Sequence, residues 1–137
     1  RYIDIARTDG ATLWSGAANE PPSSGYWVKP TLLPGVSQPA RVVREEIFGP
    51  VLSVLTFRTP AEAVKKANDS EFGLSAGVWS GNEARIFEVA HALNAGVVWA
   101  NGYNLFDPAS PFGGIRHSGF GREGGIHGLY PYLRLEA

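Results

Sequence analysis

The chain has 137 residues, of which 44% are hydrophobic and 18% charged, a composition that predicts a globular domain rather than a disordered one. Its formal net charge of −1 gives no electrostatic reason to expect nucleic acid or an anionic membrane as a partner. No apolar run approaches the roughly 18 residues that span a bilayer, no signal peptide opens the chain, and cysteine is absent, which excludes a disulfide or thiol nucleophile among these residues. The default expectation is a cytoplasmic protein.

The start of the chain predicts that it is a piece of a longer protein. Methionine is absent, and residues 1–7 have the apolar spacing of the last turns of a helix with no N-cap ahead of them. The pattern then predicts a strand at 11–16, a loop at 17–25, an extended segment at 26–33 with Pro30 at an edge or irregular position, and a helix that Ser37 caps and that runs through Val43.

Strands and helices alternate in the middle of the chain. Residues 51–57 are nearly all apolar, as in a strand that is covered on both faces. The pattern continues with a helix from the Thr59 cap to about Asn68, a strand at 74–79, a helix with capping spacing at Ser80 and Glu83, and a strand at 97–100. We therefore predict an α/β fold, a three-layer α/β/α domain with a mostly parallel sheet.

The last third of the chain predicts a functional loop followed by a tail. The long loop at 101–114 follows the carboxyl end of a strand, which is where ligands bind in parallel sheets. A short helix within 119–129 and an extended C-terminal tail from Tyr130 complete the prediction.

Two adjacent acids, Glu45 and Glu46, follow the helix predicted before 44, where the negative end of the helix dipole disfavours them. One interpretation is that Glu46 and Phe48 form a binding site at the edge of the sheet. The other is structural: one acid pairs with Arg41 or Arg44, and Phe48 belongs to the core.

Three shorter motifs have weaker functional interpretations. Residues 119–124 spell G-x-G-x-x-G, but no hydrophobic strand precedes them, so close backbone packing is the better explanation. Residues 73–77 spell G-x-S-x-G, which suggests a hydrolase with Ser75 as nucleophile, yet no strand precedes this serine as a nucleophile elbow requires. No histidine has a partner at ligand spacing, so no metal site is predicted; the three are His91, His117 and His127.

Four stretches together resemble the C-terminal part of the aldehyde dehydrogenase superfamily, in that family's order and spacing. They are EEIFGPV at 45–51, FGLSAGV at 72–78, AGVVWAN at 95–101, and PFGG at 111–114 followed by SGFGRE at 118–123. The resemblance implies oxidation of an aldehyde to a carboxylic acid with NAD or NADP as cofactor. In that family a cysteine attacks the aldehyde and an upstream glutamate activates water. Both lie outside these residues, so this chain alone is expected to be inactive.

The resemblance also implies roles for individual residues. A carboxylate can accept two hydroxyl hydrogen bonds from a ribose, and Glu46 matches the acid that binds the nicotinamide ribose. Phe48 matches the ring that packs against the nicotinamide, with Leu74 near the same site. Phe112 matches the inner part of the substrate tunnel, and its outer wall is matched by Asn104, Leu105 and Phe106. Arg122 and Glu123 match residues of the proton relay or the subunit interface.

The resemblance implies a division of the chain and an assembly. Residues 1–132 correspond to a partial catalytic domain, and 133–137 to the start of an oligomerisation strand, where the match weakens. The full-length protein is expected to be a homodimer or homotetramer that acts on a small-molecule aldehyde. The alternative is a non-catalytic homologue, or an interaction module on the same scaffold.

Overall fold

Five short strands form two small sheets in the computed structural model, which describes residues 1–16 and 22–134. The chain divides into two compact units, Arg1–Arg58 and Thr59–Ala137. Each unit combines helices with a parallel strand pair, which confirms the α/β class. The alternating segment was expected to supply one sheet; instead its first strand pairs with an earlier strand of the first unit.

In the first unit, two helices pack beside a three-stranded sheet. The sheet has the order β1-β2-β3, antiparallel between the first two strands and parallel between the last two. Alternation along β2 places Leu33 in a buried cluster with Ala6 and Val42, while Leu32 faces outward. The elements are α1 Tyr2–Thr8, β1 Trp14–Ser15, β2 Thr31–Pro34, α2 Arg41–Arg44 and β3 Val51–Val54.

Two details of this unit differ from the prediction. Ser37 does not cap α2, which begins after an extended Ala40 and has no side-chain cap. Gln38 and Pro39 form a turn instead, in which the Ala40 N–H donates to the Ser37 carbonyl at 3.1 Å. β3 is shorter than 51–57 and alternates between half-buried and exposed positions, with Leu52 and Val54 exposed. It is therefore covered on one face only within the part of the chain that the structure describes.

In the second unit, helices α3 and α4 accompany the parallel pair β4–β5. The Thr59 hydroxyl accepts a hydrogen bond from the Glu62 N–H, which confirms the predicted cap of α3. The cap of α4 is Asn82, not Ser80: its side chain accepts from the Arg85 N–H at 3.0 Å. The elements are α3 Pro60–Asn68, β4 Ser75–Val78, α4 Glu83–Ala92 and β5 Val97–Ala100.

The segment after β5 contains little regular structure. It includes a 3₁₀ turn at Arg116–Ser118, helix α5 at Gly125–Leu129, and a second 3₁₀ turn at Tyr130–Tyr132. The prediction of an extended tail from Tyr130 is wrong for this last turn, where the fixed φ of Pro131 suits helical backbone. Most of the predicted oligomerisation strand, 135–137, lies outside the described residues. None of the described helices is long and apolar enough to cross a bilayer.

Candidate functional site

The two adjacent acids of the first unit have different environments. Glu45 accepts hydrogen bonds from Arg41 Nε at 2.6 Å, from Arg41 Nη2 at 3.0 Å and from Tyr2 Oη at 2.9 Å. Its backbone is extended (φ −101°, ψ 151°), and successive side chains of extended backbone point to opposite sides. Glu46 is exposed and makes no hydrogen bond or ion pair within the described part of the chain. The structural role therefore falls to Glu45, which leaves the carboxylate of Glu46 available to a ligand.

Phe48 is not part of the core. Its side chain is 93% exposed, and its backbone has φ 53°, in the left-handed region that bulky residues rarely adopt. Such backbone costs on the order of 1–3 kcal/mol and tends to occur at binding and active sites. Together with Glu46, it presents an unpaired carboxylate and an exposed aromatic ring two residues apart on one loop.

The Glu45 contacts make the stability of this unit depend on pH. Hydrogen bonds from Arg41 and then from Tyr2 lower the pKa of Glu45 from 4.5 to about 2. A carboxyl whose pKa falls on folding stabilises the folded state above its unfolded pKa, and this contribution disappears as the pH drops toward the folded value. We expect wild type to melt at a higher temperature than Glu45→Gln at neutral pH, with the difference shrinking between pH 4.5 and 2. A difference in melting temperature that does not change with pH would contradict this account.

The second unit brings four predicted site residues around one cavity. Leu74, Phe112, Arg122 and Glu123 line a space of about 270 Å³ together with Ser118 and three glycines. Leu74 lies just before β4, and the others belong to the loop after β5. They come from positions up to 49 residues apart, so the tertiary fold creates this cluster.

Backbone and side-chain hydrogen bonds hold together the loop after β5, which forms most of the cavity. Phe112 and Glu123 pair as an antiparallel bridge and exchange two N–H···O bonds of 2.7 Å. Arg122 Nη1 donates to the Gly114 carbonyl at 2.7 Å and to the Gly121 carbonyl at 2.9 Å. The Ser118 hydroxyl accepts from the Gly73 N–H at 3.0 Å, which ties the loop to the start of β4. Arg122 is thus a loop-stabilising residue in this unit, while the Glu123 side chain makes no hydrogen bond or ion pair with any described residue.

The predicted outer wall adjoins this cavity through Phe112. The rings of Phe106 and Phe112 are 4.9 Å apart in an edge-to-face arrangement. The Leu105 carbonyl accepts a hydrogen bond from the Trp99 indole, and Asn104 has φ 57° in the exposed loop between them. The Trp99 ring packs against Phe106 and Phe112, a role that was not predicted although Trp99 lies within the AGVVWAN stretch, because its apolar pattern indicated only a strand.

The rival motifs do not form sites. Ser75 begins strand β4 and pairs with Val97, so it does not occupy a strand-to-helix turn as a nucleophile elbow would. His117 lies 3.4 Å from Glu71, and both side chains are exposed. No group of three potential metal ligands occurs in residues 1–16 and 22–134. A larger apolar cavity of about 620 Å³ in the first unit lies against the sheet and contains none of the predicted site residues.

Comparison with known proteins identifies the family. Residues 1–137 match the model of the aldehyde dehydrogenase family, and the chain belongs to that family. It is 42% identical to 2-aminomuconic 6-semialdehyde dehydrogenase of a Pseudomonas species, over 98% of this chain and 28% of that protein. It is 44% identical to betaine aldehyde dehydrogenase of Rhizobium etli, with the same coverage.

A solved relative has the same fold. The structure of indole-3-acetaldehyde dehydrogenase of P. syringae in complex with NAD⁺ and IAA superimposes with a TM-score of 0.90 at 45% identity, covering 98% of this chain and 28% of that one. The chain thus spans a little over a quarter of the length of the relatives that it matches.

Proposed function

We propose that this chain is part of an enzyme that oxidises an aldehyde to a carboxylic acid with NAD⁺ or NADP⁺. The observation that carries the proposal is the loop of the first unit, where Glu46 has no partner among the described residues and the Phe48 ring is almost fully exposed on strained backbone. Neither arrangement contributes to the stability of the unit, which is expected of residues kept for a ligand.

These residues fit the cofactor. When bound, NAD(P)⁺ accepts the hydride from the substrate. The Glu46 carboxylate offers two oxygens to the hydroxyls of the nicotinamide ribose, and charge-assisted hydrogen bonds of this kind are strong. The Phe48 ring offers a flat apolar surface to the nicotinamide. The solved relative from P. syringae is in complex with NAD⁺, which supports the choice of cofactor.

In the second unit, Leu74 is a cofactor-binding residue near the nicotinamide. Phe112, which lines the same cavity, forms the inner part of the substrate site, and Asn104, Leu105 and Phe106 form its outer wall. The contact between Phe106 and Phe112 supports this, because it joins the outer wall to the cavity through two apolar rings. Glu123 has an exposed carboxylate beside the cavity, which suits a group that passes protons.

The remaining parts of the proposal concern architecture. The two units are parts of one three-layer α/β/α catalytic domain, with residues 1–132 as its C-terminal portion and 133–137 as the start of an oligomerisation strand. The exposed apolar face of the first sheet, with Trp14, Leu32 and Leu52, supports burial by further protein in the complete enzyme. The proposed assembly is a homodimer or homotetramer.

The test is turnover by the full-length protein. Aldehyde-dependent formation of reduced nicotinamide should be measured with NAD⁺ and with NADP⁺, using propanal and phenylacetaldehyde as substrates. The expected result is stoichiometric formation of reduced cofactor and carboxylic acid. Cofactor binding or oligomer formation without turnover would favour the interaction module. Labelling by a serine-reactive phosphonate that Ser75→Ala abolishes would favour a hydrolase.

A further inference from the structure

Trp99 is the centre of an aromatic cluster in the second unit. Its ring lies 5.2 Å from Tyr103 and 5.8 Å from Phe106, both edge-to-face, and it stacks against Phe112 at 6.4 Å with 21° between the planes. Its indole N–H donates to the Leu105 carbonyl at 2.8 Å. One strand residue thus contacts four positions of the loop after β5.

The loop has few other restraints at this point. No backbone–backbone hydrogen bond involves Tyr103, Asn104, Leu105 or Phe106 within the described part of the chain. Leu105 and Phe106 are 70% and 57% exposed, so burial contributes little to holding them. Trp99, by contrast, lies on β5, whose register with β4 is set by the parallel pairing. Trp99 therefore holds both wall residues from a fixed strand, Leu105 through the indole hydrogen bond and Phe106 through a ring contact, and the Phe112 ring adds a second contact to Phe106.

The surface that Trp99 organises is apolar. It consists of aromatic rings and Leu105, and the nearest charged group in sequence, Asp107, directs its carboxylate to the Ala109 N–H at 2.8 Å. Flat rings in offset or edge-to-face contact favour aromatic and bulky apolar groups over small ones. A small aldehyde would make few contacts with this surface, so its binding would depend little on the position of Leu105 and Phe106.

We propose that Trp99 is a positioning residue that holds Leu105 and Phe106 against Phe112 and thereby selects aldehydes with an aromatic or bulky apolar group. This rests on the proposed function. Loss of the indole N–H would free the Leu105 carbonyl to bond with water and would let the wall move. The variant should therefore bind a large aldehyde more weakly, which raises its KM, and should leave the rate of the chemical step unchanged.

The experiment compares Trp99→Phe with Trp79→Phe in the full-length protein. Trp79 follows the neighbouring strand β4 and makes none of the ring contacts of the cluster, so it is a matched control. For Trp99→Phe we expect the KM of phenylacetaldehyde to rise about three- to tenfold, the loss of roughly one hydrogen bond, with kcat nearly unchanged. The KM of propanal should change less than about twofold, and Trp79→Phe should alter neither value.

A second variant covers the case in which Trp99→Phe does not fold. Tyr103→Ala removes one of the rings that pack against Trp99. It should also raise the ratio of the KM of phenylacetaldehyde to the KM of propanal. An active wild type whose KM ratio stays unchanged in Trp99→Phe, or in Tyr103→Ala where Trp99→Phe does not fold, would overturn the role of Trp99 alone. A wild type that oxidises neither aldehyde would overturn the proposed function and, with it, this inference.

Discussion

Glu46→Gln in the full-length protein should reduce kcat/KM for the nicotinamide cofactor roughly 10- to 150-fold, which corresponds to a loss of about 1.5–3 kcal/mol of transition-state stabilisation. The amide keeps the shape of the side chain but loses the charge and one of the two acceptor oxygens, so the proposed charge-assisted hydrogen bonds to the ribose would be weakened. Because the exposed Glu46 side chain makes no hydrogen bond or ion pair with any described residue, the melting temperature should hardly change.

The neighbouring acid provides the control for this experiment. Glu45→Gln makes the same chemical change one residue earlier, where the carboxylate accepts hydrogen bonds from Arg41 and Tyr2. It should lower the melting temperature at neutral pH and leave kcat/KM for the cofactor within about twofold of wild type. Equal cofactor kinetics in wild type and Glu46→Gln would remove Glu46 from the site.

Gly96→Ala should destabilise the protein by about 3 kcal/mol or more. A Cβ at this position would overlap the carbonyl oxygen of Gly113, and would lie 2.8 Å from the carbonyl carbon of Gly113 and 3.1 Å from Gly114 Cα. All three atoms belong to the backbone, so no rotamer change relieves the clash. Gly113 and Gly114 also line the cavity, and the displaced loop should raise the aldehyde KM.

The measurement is urea unfolding of the full-length protein, with Gly81→Ala as the matched control. The φ angle of Gly81 lies outside the left-handed region, and no atom lies within 4 Å of an added Cβ. Alanine there should therefore leave the stability unchanged or raise it by up to about 1 kcal/mol. If Gly96→Ala and Gly81→Ala unfold at the same urea concentration, the close approach of the loop to residue 96 is not a feature of the folded protein.

Local sequence patterns predicted the elements where the interactions are local. The cap of α3 followed from Thr59 and Glu62, because a hydroxyl and an N–H three residues apart are close in any helix. The same reasoning chose Ser80 for α4 where the structure uses Asn82, since both side chains accept from a backbone N–H two or three residues later. The two candidates differ in the residue at which α4 begins, and the helix begins at Glu83, directly after Asn82.

The division of roles between the two acids also needed the structure. Sequence spacing allowed either Glu45 or Glu46 to pair with Arg41. The choice depends on the backbone angles of Glu45 and on Tyr2, which lies 43 residues earlier and donates the third hydrogen bond. The exposure of Phe48 likewise follows from its left-handed backbone, which residue identity alone would not predict.

What the sequence by itself determined is the class of the protein: four ordered stretches defined the family and the α/β character, because each carries its own turn and strand chemistry. Only the tertiary structure decided which side chains meet. The cavity brings Leu74 together with Phe112 and Glu123, which lie up to 49 residues away in sequence, and the Trp99 ring stacks against Phe112. Such contacts depend on glycines such as Gly96 and Gly113, which allow two backbone segments to come close together. No local sequence pattern indicates which two segments will touch.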